Sequence, residues 1–297
     1  MKIGVVGAGQ FSSSFIPLFQ AHPYVSDVYL AELIPERLAR VAQKYGISQT
    51  YASFDDLLES DVDAIAIFTQ RHLHGPQTLA ALNRGKHVYC AVPISHRLDE
   101  IAEIVEKVKQ TGLTYMTGET SYYYPCTVYC RERFRRGDFG EFVYGEAQYY
   151  HDMSHGFYDA FKYSGGADWK QVAGFPPMFY PTHSTSMILS VTGARIKKAS
   201  CMGFADHHED GIFQTGANLW DNRFSNESAL MRTSFWQMIL SRLCISVNSR
   251  PTMSGPRPDT LLQAWSLMNL PKKTASCSMS RILANHRLTW RCWSRIS

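Results

Sequence analysis

The sequence predicts an α/β protein that begins with a doubly wound parallel sheet and continues into an α+β domain with an open, mostly antiparallel sheet. Two patterns carry this prediction. Through residues 1–121, short apolar strands alternate with helical segments, which is typical of parallel strands joined by right-handed crossovers. Through residues 122–233, longer alternating strands, glycines and aromatic residues replace that rhythm. The 297 residues suit two such domains, and residues 234–297 form a tail of different composition.

A glycine-rich turn follows the first predicted strand and is the strongest functional signal of the chain. A glycine at its start permits the tight turn, a second lets backbone approach a pyrophosphate, and a small residue allows the helix to pack closely on the strand. The N-terminus of that helix, expected near Gln10, offers N–H groups and a favourable dipole to the anion. The turn therefore predicts a dinucleotide site of the Rossmann type, with a turn that binds no ligand as the alternative. Its expected cofactor-binding residues are Gly7, Gly9, Gln10, Phe11 and Ser12.

The second predicted strand, 28–32, ends in a carboxylate 25 residues after Gly7. Glu32 stands where an acidic residue binds the ribose hydroxyls of the adenosine half. Because a carboxylate repels a 2′-phosphate, Glu32 favours NAD over NADP. Arg37, in the next helix, leaves NADP open as the less favoured cofactor.

The other elements follow from apolar runs and from residues that begin or end helices. Pro35 suits the first turn of a helix that Gly46 ends, and the nearly all-apolar run at 62–69 suits a strand covered on both faces. In the first domain we predict helices over 35–45 and 74–83 and after Ser95, with strands over 62–69, 87–92 and 113–117. In the second domain we predict helices over 125–136 and 178–191, with strands over 141–150, 196–204 and 228–233.

Polar residues follow the strand at 62–69, at the edge where doubly wound sheets bind ligands. We expect Thr69 and Gln70 to contact a cofactor through their backbone. His72 and His74 are two candidates for the nicotinamide pocket: one can line it while the other only caps the next helix.

These motifs occur in the order found in a known family. The turn at Gly7, the string Thr69-Gln-Arg-His-Leu-His, the string Gly85-Lys-His-Val-Tyr-Cys and Pro93 resemble the Gfo/Idh/MocA family, the relatives of glucose–fructose oxidoreductase and inositol dehydrogenase. The resemblance covers about residues 1–233. It implies a Rossmann domain followed by an open-sheet α/β domain, and it places Pro93 at the cofactor.

The resemblance also supplies candidate chemistry in the second domain. It implies that His183 takes a proton from a substrate hydroxyl while hydride leaves for C4 of nicotinamide, which suits an imidazole near neutral pH. A hydrogen-bonded structural histidine is the alternative. Tyr180 assists as a donor or only packs. Tyr122, Trp169 and Lys170 are expected to contact the substrate.

The chain departs from the family pattern at four positions. The family's Glu-Lys-Pro is Ala-Val92-Pro here, so the lysine that contacts the nicotinamide ribose and the reacting hydroxyl is absent. The aspartate four residues before the catalytic histidine is Phe179, and a common arginine is Tyr122. Neither valine nor phenylalanine titrates, so neither replaces the lost acid–base groups.

The resemblance implies an NAD(P)-dependent oxidoreductase that acts on a sugar, cyclitol or related polyol. Two alternatives stay open. One is an NAD-dependent lyase or glycosidase that uses transient oxidation. The other is a dinucleotide-binding protein without turnover. The family also implies homo-oligomers, an expectation that the unusual tail weakens.

Composition argues against several other classes of protein. The seven cysteines are scattered, which favours a reduced, cytoplasmic setting without a disulfide framework. We expect no signal peptide and no membrane span, since no apolar run approaches about 18 residues. We expect no metal site either: His151, Asp152 and His155 lack further ligands.

The tail follows a different pattern from the rest of the chain. Residues 234–297 hold nine lysines and arginines against one acidic residue, with four of the six tryptophans and one glycine. A basic tail of this kind can bind nucleic acid, but we do not predict that role. We instead favour a frameshift near codon 234, which would truncate the second domain. A divergent native tail is the alternative.

Overall fold

The computed structural model describes residues 1–149, 157–174, 181–197, 199, 205, 211–224 and 229–234. Their largest unit is a six-stranded parallel sheet in the order β3-β2-β1-β4-β5-β6. The strands are β1 (Lys2–Val6), β2 (Asp27–Ala31), β3 (Thr50–Tyr51), β4 (Ala64–Ile67), β5 (His87–Ala91) and β6 (Tyr115–Gly118). The predicted doubly wound sheet is thus confirmed, and its order reverses between β1 and β4.

Five helices connect these strands, and their ends follow the expected chemistry. Gly46 and Gly112 end two of them in the left-handed conformation, and the Ser53 hydroxyl accepts the Asp56 N–H at the start of another. The helices are α1 (Ile16–Ala21), α2 (Pro35–Tyr45), α3 (Phe54–Leu58), α4 (His74–Asn83) and α5 (Leu98–Thr111).

The first helix begins later than predicted. Ser12–Ser14 form a 3-10 turn, and α1 starts only at Ile16, so the prediction of a helix from Gln10 was wrong. The hydroxyls of Ser12 and Ser13 donate to the carbonyl oxygens of Gly9 and Gln10, which competes with regular helical hydrogen bonding.

The hydrophobic core is formed by side chains of the parallel strands and of the helices that pack against them. All four residues of β4 are buried, as expected for a central parallel strand covered on both faces. Side chains such as Phe19, Leu57 and Ile65 are fully buried, and each stabilises the fold by about 1.5–3 kcal/mol relative to an exposed position. The loops at the carboxyl ends of the strands are therefore held by a rigid support.

The second part of the chain packs helices against an antiparallel pair of strands. Strand β7 pairs with β8 from Tyr144 opposite Ser234 to Tyr149 opposite Ala229. Helix α9 packs against β7, β8 and α6. The elements are α6 (Pro125–Arg135), β7 (Tyr144–Tyr149), α7 (Phe157–Gly165), α8 (Trp169–Ala173), α9 (Pro181–Thr192) and β8 (Ala229–Ser234).

Four expectations for this part fall partly or wholly outside the described residues. The described residues of the predicted strand at 196–204, which are 196, 197 and 199, carry no strand. Tyr180, His151, Asp152 and His155 are not among the described residues, and neither is the tail after Ser234. Within the part that is described, no helix is long and apolar enough to cross a membrane.

Candidate functional site

The turn after β1 requires glycine at its first position. Gly7 has a φ of +91°, and its N–H donates to the Ala31 carbonyl oxygen at 2.9 Å. A Cβ at Gly7 would lie 2.8 Å from the carbonyl oxygen of Phe68 on the neighbouring connection. Both the conformation and the close approach therefore exclude other residues, as a nucleotide-binding turn demands.

Gly9 and Ser12, the other two small residues of the turn, are tightly packed as well. A Cβ at Gly9 would lie 3.3 Å from the Ser164 hydroxyl oxygen of α7. Ser12 is buried, and its hydroxyl donates to the Gly9 carbonyl oxygen at 2.9 Å. Ser12 thus closes the turn with a hydrogen bond, a role that its small size alone did not predict.

Glu32 lies just after β2, where the sequence places the ribose-binding acid. It is buried, and its Oε2 accepts the Ala8 N–H at 2.8 Å while its Oε1 accepts the Ile34 N–H at 3.1 Å. The Arg37 guanidinium lies 3.6 Å from Oε2. The carboxylate therefore holds the glycine turn and the start of α2 together, with acceptor capacity left for ribose hydroxyls.

Arg37 also connects the two parts of the chain. Its guanidinium donates to the Tyr163 carbonyl oxygen and lies 4.6 Å from the centre of the Tyr163 ring. Arg40 donates to the Tyr163 hydroxyl at 2.8 Å. Through these contacts and through Ser164 beside Gly9, helix α7 covers the glycine-rich turn.

The two candidate histidines after β4 have different surroundings. His74 is 1% exposed, with Nδ1 2.8 Å from the Pro93 carbonyl oxygen and Nε2 3.2 Å from the Thr69 carbonyl oxygen. It joins the loops after β4 and β5, and burial lowers its pKa to about 4. His72 instead packs its ring 5.6 Å from the ring of Trp220, and burial together with His96 lowers its pKa.

A cavity of about 790 Å³ runs along this edge of the sheet. It gathers most of the cofactor-binding residues that the sequence predicts, together with the candidate base. Those at its lining are Gly7, Gly9, Gln10, Phe11, Glu32, Arg37, Thr69, Gln70, His74 and His183.

Among the residues that the structure describes, the other predicted site residues do not line this cavity. The Arg131 guanidinium lies 3.9 Å from the centre of the Tyr122 ring. The Lys170 ammonium lies 5.9 Å from the centre of the Trp169 ring. Pro93 contributes the carbonyl group that His74 contacts. The substrate roles of Tyr122, Trp169 and Lys170 stay predictions.

A second titratable residue accompanies His183. The Nδ1 of His183 lies 2.6 Å from the Oε1 of Glu119, and each of these two residues is 7% exposed. Burial raises the pKa of Glu119, but the hydrogen bond and charge of His183, together with Thr182 and the Ser121 N–H, bring that pKa below its ordinary value. The ring of Tyr149 packs 4.4 Å from the imidazole. The arrangement is that of a base held by a carboxylate.

Glu119 was missed in the sequence, although a signal was present. It follows β6 directly, and the carboxyl ends of parallel strands are where ligands bind in such sheets. That rule, applied to β2 and β4, was not extended to β6. The pairing itself joins residues 64 positions apart, so no local pattern announces it.

The amino-terminal part of the chain matches a known family. Residues 1–119 match the family model described as "Oxidoreductase family, NAD-binding Rossmann fold". This part of the chain is similar to the Gfo/Idh/MocA family. The resemblance inferred from the glycine turn, the histidine string and Pro93 is therefore confirmed.

Relatives extend the similarity beyond that domain. A glycosyl hydrolase family 109 protein of Saccharopolyspora erythraea is 25% identical over 281 residues, covering 87% of this chain and 59% of its own length. A trans-1,2-dihydrobenzene-1,2-diol dehydrogenase of Mus musculus is 27% identical over 72% of this chain and 63% of its own. The chain thus spans about 60% of the length of these two curated relatives.

A solved structure confirms the fold. The apo scyllo-inositol dehydrogenase of Lactobacillus casei has a TM-score of 0.61 at 20% identity. The match covers 79% of this chain and 68% of that enzyme.

Proposed function

We propose that the protein is an NAD-dependent oxidoreductase that transfers hydride between nicotinamide and a hydroxyl-bearing carbon of a sugar, cyclitol or related polyol. One observation carries the proposal: His183, paired with Glu119, lines the same cavity as the glycine turn at Gly7. A titratable base and a dinucleotide cradle in one cavity are what hydride transfer from an alcohol requires.

The residues of the cleft fit a dinucleotide. The absent Cβ of Gly7 lets the turn pass 2.8 Å from the Phe68 carbonyl oxygen, and the absent Cβ of Gly9 would let a pyrophosphate approach the backbone of the turn. Glu32 would accept the ribose hydroxyls. Arg37 is already engaged by Glu32 and by the Tyr163 carbonyl oxygen, so a 2′-phosphate would meet a carboxylate rather than an uncommitted guanidinium. This favours NAD over NADP.

His183 is the proposed base. A bound nicotinamide supplies the hydride acceptor. His183 takes the proton of the substrate hydroxyl at Nε2, because its Nδ1 faces Glu119. Val92 lines the cavity at the place of the family's lysine and supplies no titratable group, so His183 would act without that lysine.

The substrate class rests on the relatives. A diol dehydrogenase and an inositol dehydrogenase are both named for compounds that carry neighbouring hydroxyls. Each matches this chain beyond the amino-terminal domain, over 72% and 79% of its length. We therefore expect a polyhydroxylated substrate. We also propose a cytoplasmic homo-oligomer. The cysteines among the described residues, Cys90, Cys126 and Cys130, are unpaired thiols, consistent with a reducing setting.

A glycosidase that oxidises its substrate transiently is the second candidate. The glycosyl hydrolase family 109 relative matches 87% of the chain, across both the glycine turn and the His183 segment. In such a reaction NAD is regenerated within each turnover, so product forms without accumulation of NADH.

One experiment separates these functions. The purified chain is given NAD and a panel of sugars, cyclitols and aryl glycosides, while NADH absorbance and aryl release are followed together. NADH formation that falls by about 10²–10⁴-fold in His183→Ala, but not in the exposed control His96→Ala, supports the oxidoreductase. NAD-dependent aryl release without NADH supports the glycosidase. NAD binding with neither signal contradicts both.

A further inference from the structure

We infer that Glu119 is the positioning residue that selects the tautomer of His183 and so makes its Nε2 the basic nitrogen. This inference deepens the proposed function and rests on it. The inference is based on the buried Glu119 carboxylate, which lies 2.6 Å from the Nδ1 of His183 although the two residues are 64 positions apart in the chain.

The Glu119 carboxylate is held in place by its own turn. Its Oε1 accepts the Ser121 N–H at 2.8 Å, which begins the 3-10 helix Thr120–Tyr123. The Glu119 N–H donates to the Thr117 carbonyl oxygen at 2.9 Å, so the residue is tied to the end of β6. The carboxylate is therefore oriented by the rigid sheet before any ligand arrives.

An oriented carboxylate dictates the protonation of the ring beside it. An ionised carboxylate only accepts hydrogen bonds, so at 2.6 Å the Nδ1 of His183 must carry the hydrogen. In the neutral imidazole the other nitrogen, Nε2, is then the acceptor. When Nε2 takes the substrate proton, the nearby negative charge stabilises the imidazolium and Glu119 itself stays ionised.

The pairing of Glu119 with His183 also replaces an acidic residue that the family pattern has and this sequence lacks. The position four residues before His183 is Phe179, and Val92 replaces the family's lysine. The structure supplies a carboxylate to the same histidine from the end of β6 instead. Glu119 thus gives His183 an acidic partner that the second domain's own motif lacks.

A double-mutant cycle tests whether Glu119 acts through His183. We expect Glu119→Ala to lower kcat at least about tenfold with little change in the KM for NAD, as part of the 10²–10⁴-fold that the base provides. In the His183→Ala background the same change should have no further effect. Glu146→Gln, an exposed carboxylate change on β7, is the matched control and should leave kcat unchanged. Additive losses in the double variant would overturn the inference.

A spectroscopic readout makes the test independent of turnover. Nitrogen-15 NMR of the cofactor-free protein, with His183 assigned by its loss in His183→Ala, should show the neutral ring protonated on Nδ1. Glu119→Ala should abolish that preference. Glu119→Gln should keep it, because the amide oxygen still accepts the hydrogen bond, while lowering kcat through loss of charge. An unchanged tautomer in Glu119→Ala would refute the role of Glu119.

The two proposals fail in different ways. A wild-type protein that shows the Nδ1–H tautomer without turnover on any substrate would contradict the proposed function and leave the pairing intact. A wild-type protein that turns over while Glu119→Ala matches it would contradict only the role of Glu119. If Glu119→Ala does not fold, the near-isosteric Glu119→Gln carries the kinetic arm of the test.

Discussion

Mild acid should destabilise this fold through His74. The ring is 1% exposed, and its pKa is lowered from 6.5 to about 4, chiefly by burial. Because the unfolded chain takes up the proton first, the stabilisation is fully present above pH 6.5 and is lost as pH falls from 6.5 toward 4. A difference of 2.5 pKa units corresponds to about 3.4 kcal/mol in total, and about 2 kcal/mol of it is lost between pH 7.5 and 5.

The surroundings of His74 explain why burial dominates. Its two ring nitrogens face the carbonyl oxygens of Pro93 and Thr69 at 2.8 Å and 3.2 Å, and both contacts favour the protonated ring. A buried cation, however, loses its hydration, and the neighbouring Arg71 adds repulsion. The two hydrogen bonds therefore reduce the effect of burial without reversing it.

Chemical denaturation from pH 7.5 to pH 5 measures this contribution. We expect wild type to lose about 2 kcal/mol more unfolding free energy over that range than His74→Gln, which cannot titrate there. His72 and His87, whose pKa values burial also lowers, are common to both proteins and cancel. Parallel pH dependence in wild type and His74→Gln would refute the reasoning, and His74→Asn repeats the test if glutamine prevents folding.

Two further predictions concern the cofactor cleft. Glu32→Ala should cost about 3–5 kcal/mol of unfolding free energy by leaving Arg37 buried without its carboxylate, and should weaken NAD binding by about 1.5–3 kcal/mol. Calorimetric titration and denaturation check both effects, with exposed Glu36→Ala as the control; unchanged NAD affinity would sink the ribose assignment. Gly9→Val should abolish NAD binding, because its branched side chain would block the approach of a pyrophosphate to the backbone of the turn, whereas Gly9→Ala should only weaken it. Full binding by the valine variant in a fluorescence titration would contradict the role of the turn.

The sheet could be predicted because its signals are local. Apolar runs mark the buried strands, and Pro35 and Gly46 mark the ends of one helix at the residues where the structure has them. The start of α1 could not be predicted in the same way. At Ser12–Ser14 the side-chain hydroxyls form hydrogen bonds to backbone carbonyl oxygens that compete with the hydrogen bonds of a regular helix. The difference in helix propensity that decides between the two is less than about 1 kcal/mol per residue.

Site residues could be predicted from the sequence only where the local sequence around a single residue indicates its role. Gly7 requires its conformation, and Glu32 follows its strand, so both could be named from the sequence. The partners of these residues come from far along the chain: Arg37 meets Tyr163, 126 positions away, and Glu119 meets His183. Contacts at such separations depend on how the second part of the chain packs on the first, which no short motif encodes. Likewise, only packing separates His74, which joins two loops, from a neighbouring histidine of similar sequence context.

Losing the family's lysine need not mean losing the chemistry. A hydroxyl-oxidising site requires one group that is neutral and basic near pH 7, together with a fixed orientation toward the substrate. A lysine in place of Val92 would add a cation to the cavity that His183 lines. With valine there, Glu119 serves His183 alone, and its pKa stays below the ordinary value despite burial. Under the proposed function, the valine and the buried carboxylate are consistent parts of one arrangement, in which a single histidine would serve as the base.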